Sequence, residues 1–183
     1  MSTVRAVTPL DDHRVVAPHL PPLAVVPAAD TPTLPSSVEP ASRLPREWVE
    51  VHRVEVDGDT IDTLLIGPNG LFAVHFDEDP RPAAVRPGFG LIRAGTREPN
   101  PVKRALGNAE ALRKRLAHLP GDLFPYPVLV TATTGEAGHR LGRLLVVRPG
   151  RLAEALWRHV SRPLRRSERD AVRKALVGMS SSR

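Results

Sequence analysis

Asp62, His75 and Asp77 are the residues of this chain whose types and spacing could do chemistry. They sit in the stretch "IDTLLIGPNGLFAVHFDEDP", Ile61 to Pro80. Two carboxylates and an imidazole form a ligand set for a divalent cation such as Mg²⁺, Mn²⁺ or Zn²⁺. The same groups could also serve as acid and base. A simpler reading competes. Strands lose their apolar character where they leave a core, and an Asp62–His75 pair satisfies itself, as polar groups taken from water must be. The residue types alone leave both readings open.

The elements around them must bring the three together. "GPNG" reads as a four-residue turn, with Pro68 suited to its second position. If Ile66 pairs with Leu71 across that turn, Asp62 falls opposite His75, with Cβ atoms about 4.5–5.5 Å apart. Asp77 follows two residues later on the face of His75. The alternation predicts Leu64, Ile66, Leu71 and Ala73 on one face and Ile61, Leu65, Phe72, Val74 and Phe76 on the other. Strands apolar on both faces belong in the middle of a sheet covered by helices. Upstream, "WVEVHRVEV" is a first strand whose valine phase slips at His52–Arg53, as a bulge would cause. "DGD" turns it into the second strand.

Downstream, residues 77–99 read as a Pro-, Gly- and Arg-rich loop with one short strand at "GLIRAG". Asn100 caps a helix that has Pro101 in its first turn. Val102, Leu106, Ala109, Leu112, Leu116 and Leu119 recur at helical spacing until Pro120–Gly121. "PVLVTAT" and "RLLVVRP" are further strands, and "RLAEALWRHV" is an amphipathic helix. Ser167 with Asp170 caps a last helix running to about Val177. The predicted fold class is therefore α/β, a layered domain over residues 46–178 whose central sheet holds a three-stranded meander and further strands, flanked by helices.

Composition narrows the function classes. With no cysteine, thiolate metal sites, cysteine nucleophiles and disulfides are excluded. Nine of the twenty prolines fall in residues 1–45, which read as a disordered tail with apolar patches that could dock a protein partner. Residues 179–183 read as a disordered C-terminus. The formal net charge is +6, a mild attraction for nucleic acid. The run "RHVSRPLRRSERDAVRK" carries seven Arg or Lys, including Arg165 and Arg166. Phosphate contact and a solvated basic helix are both compatible with it, since no aromatics interleave for base stacking. The other histidines are scattered and read as solvated surface. No stretch reaches the ~20 apolar residues of a membrane span, and no signal peptide is evident, so a cytoplasmic protein is expected.

The segments "VEVDGDTIDTLLIGPNGLFAVHF", "NPVKRALGNAEALRKRL", "YPVLVTAT" and "LLVVRPGRLAEALW" together resemble the nuclease-related domain (NERD) family, over about Leu44 to Ala175. The resemblance implies a restriction-endonuclease-like fold with a PD-(D/E)xK site. It implies that Asp62 is the metal-binding aspartate of the second strand. Thirteen residues on, where the family has Glu-x-Lys, this chain has His75, Phe76 and Asp77. Arg104 stands near the position of a family glutamine, and the usual upstream Gly-Glu helix is replaced by the proline-rich tail. Mg²⁺ prefers hard oxygen ligands, and an acid in place of lysine removes positive charge where negative charge builds in phosphoryl transfer. The expectation is a protein with impaired or lost nuclease activity, kept for binding DNA or RNA, with Arg104, Arg165 and Arg166 as contacts, or for binding a protein partner. Two alternatives are an active metal-dependent nuclease with Asp62, His75 and Asp77 as rearranged ligands, and an interaction module recruiting through the tail.

Overall fold

The structure, a computed structural model, describes residues 44–133, 138–159 and 161–180. The proline-rich tail, apart from Leu44 and Pro45, lies outside the described residues, as do residues 181–183. The described chain is mixed α/β. Strand β1 (Val49–Val56) turns through Asp57 and Gly58, both left-handed, into β2 (Asp59–Gly67). Two consecutive positive φ angles make the turn whose twist matches an antiparallel hairpin. Strand β3 (Gly70–Phe76) pairs with β2 in the register that the turn length predicts, Ile66 opposite Leu71.

A small antiparallel sheet follows: β4 (Ala84–Arg86), β5 (Gly90–Arg93) and β6 (Thr96–Arg97). Only one short strand was predicted there. Helix α1 (Pro99–Arg115) then crosses to β7 (Tyr126–Val130), parallel to β3. Strands β8 (His139–Leu141) and β9 (Leu144–Val147) complete a six-stranded mixed sheet of order β1-β2-β3-β7-β9-β8. Helices α2 (Leu152–Arg158) and α3 (Arg166–Ser180) close the chain. No helix among the described residues is long and apolar enough to cross a membrane.

The two faces of the sheet are covered differently. On one, Leu64, Ile66, Leu71 and Ala73 pack against Ala109 and Leu112 of α1, Leu116 at its C-cap, and Val172 and Leu176 of α3. Truncating a fully buried leucine such as Leu112 would cost about 2–5 kcal/mol. On the other, Leu65, Phe72 and Val74 pack against Leu152, Ala155 and Leu156 of α2. Trp48 also covers this face. A Cβ at Gly67 would lie 2.5 Å from its ring carbons, so the indole rests on bare backbone.

Local details depart from the sequence reading. No residue is inserted at His52–Arg53: His52 faces Thr63 and Val54 faces Ile61 in one unbroken register. Arg53 instead takes a left-handed φ of 55°, and both strands change phase together. Ile61 therefore joins Leu64 rather than Leu65. At α1, Glu98 is the N-cap and Pro99 begins the helix, with Asn100 inside it. Leu106 faces outward and Ala105 inward. Ser167 lies within α3; the cap comes from Glu168, whose Oε2 accepts the Arg165 backbone N–H at 2.8 Å.

Candidate functional site

The candidate site lies at the carboxyl ends of the parallel strands β3 and β7, where open α/β sheets place their ligands. Paired strands β2 and β3 end at Thr63 opposite Val74, and beyond that point a side chain takes over the ladder. Asp62 Oδ2 accepts the Phe76 backbone N–H at 2.8 Å and stands 3.8 Å from His75 Nδ1. Asp62 is about one-third exposed, whereas the His75 ring is buried. Neither ring nitrogen of His75 has a hydrogen-bond partner among the described residues. Burial holds the imidazole below its ordinary pKa. The Asp62 carboxylate opposes that shift, and Arg104 adds to it.

A second layer surrounds this pair. Arg104 reaches from α1 to Asp59 on β2, with Nε 3.1 Å from Oδ1. Asn108, one turn further along α1, donates from Nδ2 to Asp59 Oδ2 at 3.0 Å. Residues four apart share a helix face, so the spacing of Arg104 and Asn108 is what lets both reach one carboxylate. Burial would raise the pKa of Asp59, but the amide of Thr60, Asn108 and Arg104 together hold it below the ordinary carboxylate value. Asn108 is buried in an otherwise apolar helix stripe, and that mismatch is the signal that could have marked it in the sequence.

Asp77 has a different destination. Its Oδ2 meets the guanidinium of Arg93 and accepts the Thr131 hydroxyl at 2.8 Å. Arg93, on β5, is buried and uses all of its nitrogens. Nε donates to the Arg81 carbonyl at 2.8 Å, Nη1 pairs with Glu98, and Nη2 donates to Asp77 and to Thr131 at 2.8 Å. These acceptors hold its charge firmly in place, against the desolvation of the buried group. The structure thus brings Asp62 and His75 together and commits Asp77 to Arg93. Among the described residues no three His, Asp or Glu side chains converge as metal ligands. Of the expected three-ligand set, Asp62 and His75 stand side by side, while Asp77 faces the Arg93 guanidinium. Sequence reasoning missed Arg93 altogether. Its one signal is alternation with Leu91, which puts a charge on the buried face of a strand.

Of the expected nucleic-acid contacts, Arg104 carries the Asp59 pair just described and remains about half exposed. Arg165 and Arg166 are exposed at the start of α3. The histidine reading needs one correction. His159, placed on the surface from sequence, is half-buried against Tyr126, with ring centroids 4.0 Å apart and the planes tilted by 48°. The chain matches no family model, no curated protein and no solved structure.

Proposed function

We propose that this chain is a NERD-like, restriction-endonuclease-like domain that has lost hydrolytic chemistry and acts by binding nucleic acid. The observation that carries the proposal is the fate of the hairpin end. Asp62 stands beside His75 where the resemblance expects two carboxylates, and Asp77 is cancelled by Arg93 where it expects a lysine. Phosphoryl transfer depends on fixed positive charge facing the developing negative charge. Here the cation nearest that position is buried and saturated by acceptors. Asp62 and His75 alone fall short of the three protein ligands of a catalytic zinc, and an imidazole in place of the second carboxylate suits Mg²⁺, which prefers oxygen ligands, poorly.

Binding has separate support. Helices α1 and α3 pack on the same core cluster through Leu112 and Leu176. Their outer faces expose Lys103, Arg104 and Lys114 on one helix and Arg166, Arg173 and Lys174 on the other. Two basic helices on one side of a sheet suit a phosphate backbone, which is bound through lysine and arginine with counterion release.

The test is incubation of plasmid and single-stranded DNA with Mg²⁺, Mn²⁺ or Zn²⁺, using wild type and Asp62→Ala, alongside binding across salt. The expected result is no cleavage by either protein, and binding that weakens as salt rises. Metal-dependent cleavage lost in Asp62→Ala would refute the loss of chemistry and favour the rearranged metal site. Absence of binding at low salt would refute the nucleic-acid role and leave partner recruitment through the tail.

A further inference from the structure

We propose that the β4–β5 hairpin is a contact for unpaired nucleic acid, in which Phe89 stacks on a base while Arg86 and Arg97 hold the neighbouring phosphates. This rests on the nucleic-acid reading above and assigns it a site. Phe89 is the most exposed large apolar side chain among the described residues, at 67%. It sits at the tip of the turn between β4 and β5, closed by its own N–H donating to the Arg86 carbonyl at 3.1 Å. Gly88 and Gly90 on either side of it have φ angles of +79° and +102°, a backbone that side chains rarely adopt and that brings the phenyl ring out to the apex.

Two cations stand on the strands that carry this turn. Arg86 lies directly across the ladder from Gly90. A Cβ on Gly90 would be 3.6 Å from Arg97 Nε, so that guanidinium lies against the residue next to Phe89. Both arginines are exposed, and among the described residues neither forms an ion pair with an acid. The hairpin is also fixed. Arg93 on β5 bonds to the Arg81 carbonyl, Asp77, Glu98 and Thr131, tying the hairpin's base to the ends of β3 and β7. A side chain presented on a rigid mount loses little freedom on binding.

The chemistry at the tip selects the occupant. A single exposed phenylalanine is unremarkable by itself, and an apolar groove on a protein partner would call for a wider hydrophobic patch. One exposed aromatic ring at a turn whose strands carry two exposed guanidiniums matches a base with its neighbouring phosphates. A duplex hides its base faces, so the matching ligand is a single strand or an unpaired loop.

The experiment measures binding of a mixed-sequence single-stranded oligonucleotide to the full chain by fluorescence anisotropy across salt. A second oligonucleotide carrying 2-aminopurine reports stacking directly. Phe89→Ala is expected to weaken binding about ten-fold with an unchanged salt slope, and to abolish the 2-aminopurine quench. Phe89→Trp is expected to restore both. Arg86→Ala with Arg97→Ala should lower the slope by about 1.4, from ~0.7 per phosphate contact on a single strand. Wild-type affinity and quench in Phe89→Ala would overturn the hairpin site while leaving nucleic-acid binding intact. No binding by wild type at low salt would overturn both. Phe89-dependent binding to phosphatidylserine vesicles, without binding to the oligonucleotide, would overturn the proposal in favour of a membrane contact.

Discussion

Replacing Arg93 by methionine keeps most of the side-chain volume and removes the charge from the centre of the network. The cost can be built from the groups left behind. Glu98 and Asp79 are each about one-quarter exposed and can turn to water. The Asp77 carboxylate cannot, at 7% exposure. Removing one member of a buried pair leaves an uncompensated charge, at about 3–5 kcal/mol. Asp77 would keep the Thr131 hydroxyl and the Asp79 amide, the latter at 3.2 Å, which sets the expectation near the lower end, at about 3 kcal/mol. Urea unfolding followed by circular dichroism measures it. Arg151→Met supplies the contrast. Arg151, the N-cap residue of α2, is 60% exposed and pairs with Glu154 in the helix's first turn, so it should cost under about 1 kcal/mol. Adding Asp77→Asn to Arg93→Met should recover stability, with coupling of about 0.5–3 kcal/mol. A loss for Arg93→Met no larger than that of Arg151→Met would refute the claim that this network anchors the hairpin.

Two further outcomes follow from the same geometry. His75 has its folded pKa pushed below 6.5 by burial, so the unfolded chain takes up the proton more readily. The stability that comes from keeping the ring neutral is therefore complete above the unfolded pKa and is lost as pH falls from about 6.5 towards the lowered folded value, at no more than about 1.4 kcal/mol per pH unit. His159 is lowered in the same direction, chiefly by burial, so His75→Leu should reduce the slope between pH 7 and pH 5 and His75→Leu with His159→Phe should reduce it further; an unchanged slope in both would refute the burial argument. Gly67→Ala would drive a methyl into the Trp48 ring, 2.5 Å away. Overpacking of this kind costs about 1–3 kcal/mol, and thermal unfolding with tryptophan emission as the probe should register both the loss and a displaced indole, whereas native emission and stability would show that Trp48 does not rest on this backbone.

The hairpin was legible in the sequence because a turn of fixed length sets the pairing of every residue beyond it. "GPNG" was enough to put Asp62 beside His75. Ile61 was misplaced because alternation assumes a strand without a kink, and Arg53 bends β1 through a left-handed φ that β2 follows. The fate of Asp77 could not be read in the same way. Its partner lies 16 residues away, on a strand of a different sheet, and Thr131 is 54 residues away. Taken singly, each member of that pair looks like an error: an acid at the end of a core strand, and an arginine at a position that alternation marks as buried. Together they form one neutral, hydrogen-bonded unit, the condition under which buried charge is tolerated. That unit bears on the site in two ways. It turns Asp77 towards Arg93, and it ties down the base of the hairpin that carries Phe89. On the function proposed above, an acid that serves as an anchor point stands where the resemblance expects a lysine, and contact at the hairpin tip is the activity to assay first.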